Sequence, residues 1–247
     1  GWADADIAHT ITQEGRRCIR LLDSVATTYG FECLYGHTDS AFVKVPTVDD
    51  AHALAERITA AVQRDTGNKM LFAELEAWMP YWLLTKKNRY VGKVAWPEED
   101  QGKLKVAGFG MKASNTAPLS KKIQKGVFEL ICDGADEQTV EEFVLPIAMD
   151  VRNGEIPLAD VSMKTRLGMH LKEYKVLSGA SKAAVAYNEN NPEKFGKGDS
   201  VPWTYIKEVP GIIAFRNPED LEGFTLDSDT ILKKMLKTKL NSIYSTL

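Results

Sequence analysis

CLYGHTDSAF, residues 33–42, sets a glycine and four polar residues between two apolar runs. Residues 31–35 and 41–45 read as strands, with Gly36-His37-Thr38-Asp39 as the tight turn between them. Such a hairpin lifts a short acid, Asp39, to its tip and sets His37 two residues before it.

Helical patterns flank the hairpin. Over residues 5–29, Ile7, Ile11, Cys18, Leu22, Val25 and Tyr29 fall at helical spacing, and Gly30 stands where a C-terminal cap belongs. Thr47-Val-Asp-Asp50 is a helix start; Leu54, Ile58 and Val62 follow on one face, and Gly67 ends the run. Residues 69–77 alternate like a strand, and further strands are expected near 81–85, 89–96 and 103–109, the last two joined by the polar turn PEEDQG. This part therefore reads as an α+β layer, an antiparallel sheet with covering helices.

From about Ala113 the character changes. Pro118 takes a first-helical position ahead of Ile123, Val127 and Leu130. DEQTVEEFVLPIAMDV is helical, and its Pro146 predicts a kink or break. ASKAAVAYNEN is a further helix and GDSVPWTYI a short strand, with Trp203 and Tyr205 read as core and stacking on nucleic acid as the alternative. Residues 227–247 align Ile231, Met235, Leu236, Leu240 and Ile243, with acids first and lysines later, which suits the helix dipole. The expectation is a second, mostly helical domain.

The 247 residues, 44% hydrophobic, suffice for one large or two modest domains. A net charge of −3 does not announce a nucleic-acid partner, yet charge is uneven. Residues 86–125 hold ten basic residues (Lys86, Lys87, Arg89, Lys93, Lys103, Lys105, Lys112, Lys121, Lys122, Lys125) against the acids Glu98, Glu99 and Asp100. Such a band can touch phosphate even on an acidic protein. Cys18, Cys33 and Cys132 are far apart, which argues for a reduced compartment and against a zinc ribbon or disulfide scaffold. No apolar run approaches a membrane span, and no signal peptide is visible. The chain begins Gly1-Trp2 rather than with Met, as a processed product or an excerpt of a longer protein would.

Tyr35-Gly36-His37-Thr38-Asp39-Ser40 resembles the YGDTDS motif, motif C, of family B DNA polymerases. Companion segments follow the family's order. TITQEGR (10–16) resembles its VTxxGR helix; ELEAWMPYWLLTKKNRYVG (74–92) resembles its acidic strand followed by KKRYxG. VAGFGMKASNTAPLSKKIQKGVFELI is similar to the segment kGlEmvRsDtp that leads into the thumb. YKVLSGASKAAVAYNE, FGKGDSVPWTYI and DLEGFTLDSDTILKKMLKTKLNSIY are similar to later thumb elements.

The resemblance implies that residues 1–112 are the second half of the palm and 113–247 the thumb. Nothing in the chain resembles the family's exonuclease domain, its fingers or its motif A strand with the DxxSLYP carboxylate. The implied activity is template-directed nucleotide addition by a DNA-directed DNA polymerase, with primer-template DNA and dNTP as partners. Motif A and the fingers would come from another chain or a missing region. No membrane partner is expected; the implied location is the cytoplasm or nucleoid, or the host cytoplasm or nucleus for a virus. The implied cofactor is Mg2+ in a two-metal site, with Mn2+ as the softer alternative.

By the same resemblance Asp39 is the catalytic metal carboxylate, within the motif C turn of Tyr35, Gly36, Thr38 and Ser40. A hairpin aspartate also serves as an Asx-turn acid. His37 stands where the family has its first Asp. Imidazole is a soft ligand, poorly suited to magnesium; a turn histidine that bonds locally or touches a phosphate is the plainer reading. Glu76 resembles the family's extra palm acid, with Glu74 able to take the same place, and a plain exposed strand acid is the alternative. Lys86, Lys87, Arg89 and Tyr90 resemble the primer-gripping KKRY strand, with Asn88 interrupting the run. Such a strand neutralises phosphates without reading sequence. At the thumb entry Gly110, Ala113 and Asn115 stand where the family has Glu, Arg and Asp, while Lys112, Lys121, Lys122 and Lys125 are left to grip duplex backbone or to sit on a solvated face. The rival readings are a degenerate polymerase half acting as a DNA-binding or scaffolding module, and an unrelated α+β protein.

Overall fold

The computed structural model describes residues 4–37 and 39–244, so Thr38 lies outside the described residues. It comprises two compact units, Gly1–Pro80 with Lys93–Lys103, and Tyr81–Gly92 with Leu104–Leu247. Residues 81–92 and 104–112 cluster with residues 113–247.

The first unit is built on helices α1 (Ala5–Thr28) and α2 (Val48–Thr66). Asp4 caps α1 by accepting from the amides of Asp6 and Ile7, and Thr47 caps α2 by accepting from Asp50. Gly67 closes α2 at φ 69°, a left-handed conformation that glycine adopts without strain. Strands β1 (Glu32–His37) and β2 (Ser40–Lys44) form an antiparallel hairpin. Ala26, Leu54, Ile58 and Val62 make the core, with Leu22, Val25, Phe31 and Val43 packed on it.

Residues 71–77 are not the strand their alternation predicts. Their backbone is held instead by side chains of α2. Gln63 Nε2 donates to the carbonyls of Lys69 (3.1 Å) and Leu71 (2.9 Å), and Thr59 Oγ1 accepts from the amide of Ala73 at 2.9 Å. Alternation alone makes no strand without a neighbour to pair with.

In the second unit β3 (Trp82–Lys86), β4 (Arg89–Lys93) and β5 (Leu104–Ala107) form a sheet in that order, so the one palm sheet expected from the sequence is two separate sheets. Helix α3 (Pro118–Cys132) starts on its proline as expected. It packs so closely on α4 (Glu137–Asn153) that a Cβ on Gly126 would lie 2.3 Å from the Phe143 ring. Of the kink or break expected at Pro146, the break does not occur, and α4 runs on through the proline. Pro146 and Glu142, the residue whose carbonyl loses its helical donor, are both exposed, so water can serve that carbonyl.

A third sheet joins β6 (Met163–Arg166), β7 (Ser200–Tyr205), which is the strand expected in GDSVPWTYI, and β8 (Ile212–Ala214) in that order; β6 and β8 were unforeseen. Helix α5 (Ala180–Asn190) follows Gly179, where a Cβ would press to 3.1 Å on the Trp203 ring. Trp203 is buried, as its core reading required, and its indole N–H donates to Thr165 Oγ1 at 3.2 Å. The chain closes with α6 (Ser228–Ile231), a π-helical stretch Leu232–Lys237 and α7 (Thr238–Tyr244). The five apolar residues aligned by the sequence, Ile231, Met235, Leu236, Leu240 and Ile243, are all buried. No helix among the described residues is long and apolar enough to cross a membrane.

Candidate active-site hairpin and nucleic-acid interface

The β1–β2 register pairs Glu32 with Lys44, Cys33 with Val43, Tyr35 with Phe42, Gly36 with Ala41 and His37 with Ser40, with a bulge between Cys33 and Tyr35. The hairpin is therefore tighter than expected: His37 and Ser40 belong to the strands, and Asp39 sits in the turn between them, exposed. Ser40 Oγ donates to the His37 carbonyl at 3.4 Å. The exposed His37 ring lies 6.3 Å from that of Tyr35, which lies 6.1 Å from Phe42. A Cβ on Gly36 would stand 3.4 Å from Ile19 Cγ2, so the hairpin lies against α1 at this point. Below the tip, burial and then the charge of Asp23 push the Cys33 thiol above its usual pKa.

Asp39 is thus a carboxylate fixed by a strand ladder and open to solvent. Among the described residues no group of three or more His, Cys, Asp or Glu could hold a metal ion, so Asp39, His37 and Glu76 form no such cage. Glu76 is exposed on the irregular stretch after α2. One hard oxygen donor at an exposed tip suits a cation that takes its remaining ligands elsewhere. The neighbouring imidazole adds little for magnesium.

The KKNRY segment is a second hairpin. Trp82 pairs with Gly92, Leu83 with Val91, Leu84 with Tyr90 and Lys86 with Arg89, again with a bulge, between Leu84 and Lys86. The basic run expected on one strand is therefore split: Lys86 ends β3, Arg89 starts β4, and Lys87 and Asn88 form the turn. Asn88 has φ 61°, the sole non-glycine residue with positive φ among the described residues. Asparagine tolerates that conformation far better than lysine, which explains the interruption in the run.

Behind this turn lies Gly108, with φ +77°; a Cβ there would come 2.3 Å from the Asn88 carbonyl oxygen and 3.0 Å from Arg89 Cα. The next residue, buried Phe109, carries the Arg89 guanidinium 5.3 Å from its ring centroid and meets Phe128 of α3 edge-on at 4.7 Å. Arg89 and Tyr90 are half-buried, Lys86 and Lys87 exposed. Lys112 and Lys122 are exposed and Lys121 is half-buried. Within the basic band, Lys103 pairs with Asp100 at 2.5 Å and Lys125 with Glu129 at 3.7 Å. Sequence reasoning passed over Lys239: its Nζ would be 3.9 Å from a Cβ on Gly110. Its only signal was a lysine on the half-buried side of an apolar helix.

The sequence matches the profile of DNA polymerase family B over residues 4–243. It is 25% identical over 190 residues to a DNA polymerase of Archaeoglobus fulgidus, covering 76% of this chain and 23% of that protein. It is 23% identical over 261 residues to the DNA polymerase zeta catalytic subunit of Saccharomyces cerevisiae, covering 98% of this chain and 17% of that one. The fold is similar, at a TM-score of 0.71 and 22% identity, to the family B DNA polymerase from Pyrobaculum calidifontis, covering 100% of this chain and 31% of that one. The chain spans less than a third of the length of each of these proteins. It belongs to DNA polymerase family B.

Proposed function

We propose that this chain is the second half of the palm, residues 1–112, and the thumb, residues 113–247, of a DNA-directed DNA polymerase. In this reading it supplies Asp39 as a catalytic metal ligand and grips the primer-template. The observation that carries it is the exposed Asp39 carboxylate at the tip of a hairpin seated on α1, within a motif C sequence. Divalent cations, when bound, would stabilise the attacking and leaving oxygens of in-line phosphoryl transfer. Asp39 brings the negative charge and hard oxygen such a cation prefers, and the β1–β2 ladder removes its freedom to wander. In this reading neither His37 nor Glu76 is needed as a ligand. Lys86, Lys87 and Arg89, with Lys112, Lys121 and Lys122, would neutralise backbone phosphates of the duplex, and Tyr90 would back that surface. The dNTP would be bound largely by motif A and fingers, which nothing in this sequence resembles.

The test is primer extension by the pure chain, and by the chain completed with the N-terminal part of a family B polymerase. The chain alone should not extend a primer. The completed enzyme should do so in magnesium or manganese, and Asp39→Asn should abolish it. Robust extension by the chain alone, or an active Asp39→Asn enzyme, would overturn the proposal.

A further inference from the structure

Helix α4 carries apolar residues on two faces. Val140, Val144 and Val151 are buried, and Phe143 lies against Gly126 of α3, so one face is committed to the core. Leu145 and Met149 stand outside it, 57% and 60% exposed and one turn apart, with exposed Pro146 between them in the chain. A contiguous exposed apolar patch with a polar rim marks an interaction surface, where a single exposed leucine would not.

Two further observations give this outer face a sign. Glu141, Glu142 and Asp150 are exposed beside the apolar residues, and among the described residues no ion pair neutralises them. Gln138 Nε2 donates to Glu142 Oε1 at 2.9 Å and leaves the charge in place. Pro146 has no N–H, so the Glu142 carbonyl lacks its helical donor in the middle of the patch and is left to water in the free chain. The face thus offers hydrocarbon and hydrogen-bond acceptors, and the one cation of the helix, Arg152, stands in its last turn. Nucleic-acid phosphates and anionic lipid headgroups share the sign of these acids and are repelled. A wholly apolar partner would strip water from the carboxylates and return no hydrogen bond. A cationic partner with an apolar stripe satisfies both halves of the patch.

We propose that the outer face of α4 is a docking site for a basic amphipathic helix of a partner protein. The apolar side chains of that helix pack on Leu145 and Met149, and its lysines or arginines reach the carboxylates of Glu141 and Glu142 and the open Glu142 carbonyl. The platform is already formed: Asp136 caps α4 by accepting from the Thr139 amide at 2.9 Å, and the opposite face is fixed in the core. Met149, unbranched and polarisable, adapts to the shape of the apolar side chain it meets. The proposal uses no residue of either hairpin and stands apart from the polymerase reading.

The probe is a fluorescein-labelled helical peptide of about 15 residues, built of leucine, alanine, lysine and arginine with its leucines on one face, titrated with the full chain by anisotropy. Saturable binding is expected. Leu145→Gln with Met149→Gln should weaken it at least tenfold, and Glu141→Gln with Glu142→Gln roughly three- to tenfold with a flatter salt dependence. Glutamine is a good helix former and the sites are exposed, so neither pair should shift the thermal midpoint. The same peptide with glutamate for its basic residues should not bind. Absence of binding, or binding unchanged in either double variant, would overturn the proposal. Binding should persist in the enzyme completed with the N-terminal part of a family B polymerase; its loss there would show that this part covers the face, and would overturn the proposal too. Self-association of the chain, or its pelleting with phosphatidylserine vesicles, abolished by Leu145→Gln with Met149→Gln, would assign the face to a second copy or to a membrane instead.

Discussion

The two hairpins share a design and differ in backing. Each has antiparallel strands with one bulge and a charged side chain in its turn. Asp39 in the β1–β2 turn stands exposed, while the strands below it rest on the helices through Gly36 and half-buried Val43. The β3–β4 turn is backed at its own level by Gly108 and Phe109, and Val91 on β4 is fully buried. The first is built to offer a group; the second is built to stay put. The roles proposed for them would differ in the same way: a metal ligand would need room for substrate and cation around it, whereas a backbone clamp would gain from a rigid support.

Substitutions can break or sharpen that contrast. The largest effect should come from the exposed turn, and on activity alone. In the completed enzyme Asp39→Asn is expected to lower the extension rate roughly a thousandfold or more, with no shift in the unfolding midpoint. His37→Ala should cost little, and His37→Asp should keep or raise the magnesium-supported rate. Loss of activity in His37→Ala would give the histidine a direct role.

The backed turn should respond in stability. Gly108→Ala forces a Cβ into the Asn88 carbonyl at a left-handed φ and is expected to cost about 2–4 kcal/mol in denaturant unfolding. A neutral result would mean that the loop and turn do not touch in solution. Next in size, Val91→Ala removes two methyl groups from a site with no solvent exposure and should cost about 2 kcal/mol. Val43→Ala on half-buried β2 should cost less than about 1 kcal/mol; equal losses would erase the contrast between the hairpins. Asn88→Val puts a β-branched residue at φ 61° and should cost about 1–2 kcal/mol, while Asn88→Gly should be near neutral.

The smallest effect is chemical. The raised pKa of Cys33 leaves less thiolate at neutral pH, so maleimide should label it more slowly than a free peptide thiol, with the rate rising at higher pH. Cys18→Ser with Cys132→Ser isolates the signal. Labelling as fast as the free thiol would show that the first hairpin opens readily.

Much of the fold was legible because its signals are local. Thr47, Gly67 and Pro118 mark helix ends through their own chemistry, and the buried stripe from Ile231 to Ile243 follows from spacing. What stayed hidden depends on distant partners. The alternation over 69–77 has the look of a strand, but its hydrogen bonds are decided by Gln63 and Thr59. Strands β6 and β8 are three or four residues long, too short for a period to be read. At the candidate site, Asp39 could be located from its motif, while the split of KKNRY across a turn follows from the backbone of one asparagine. Lys239 could not be paired with Gly110 from sequence, since 129 positions separate them.

The π-helical stretch Leu232–Lys237 has a further consequence. An α-helix turns by about 100° per residue, so a stretch that accommodates one extra residue resets the angular phase of everything after it. Leu240, Ile243 and the Lys239 amine all lie downstream of that reset. Their bearing is fixed by how many residues precede them as much as by what those residues are. Against a relative with a regular helix here, this stretch would read as a one-residue insertion in an otherwise unremarkable apolar pattern. That insertion is the count that turns two leucine-class side chains inward and brings a lysine to the loop.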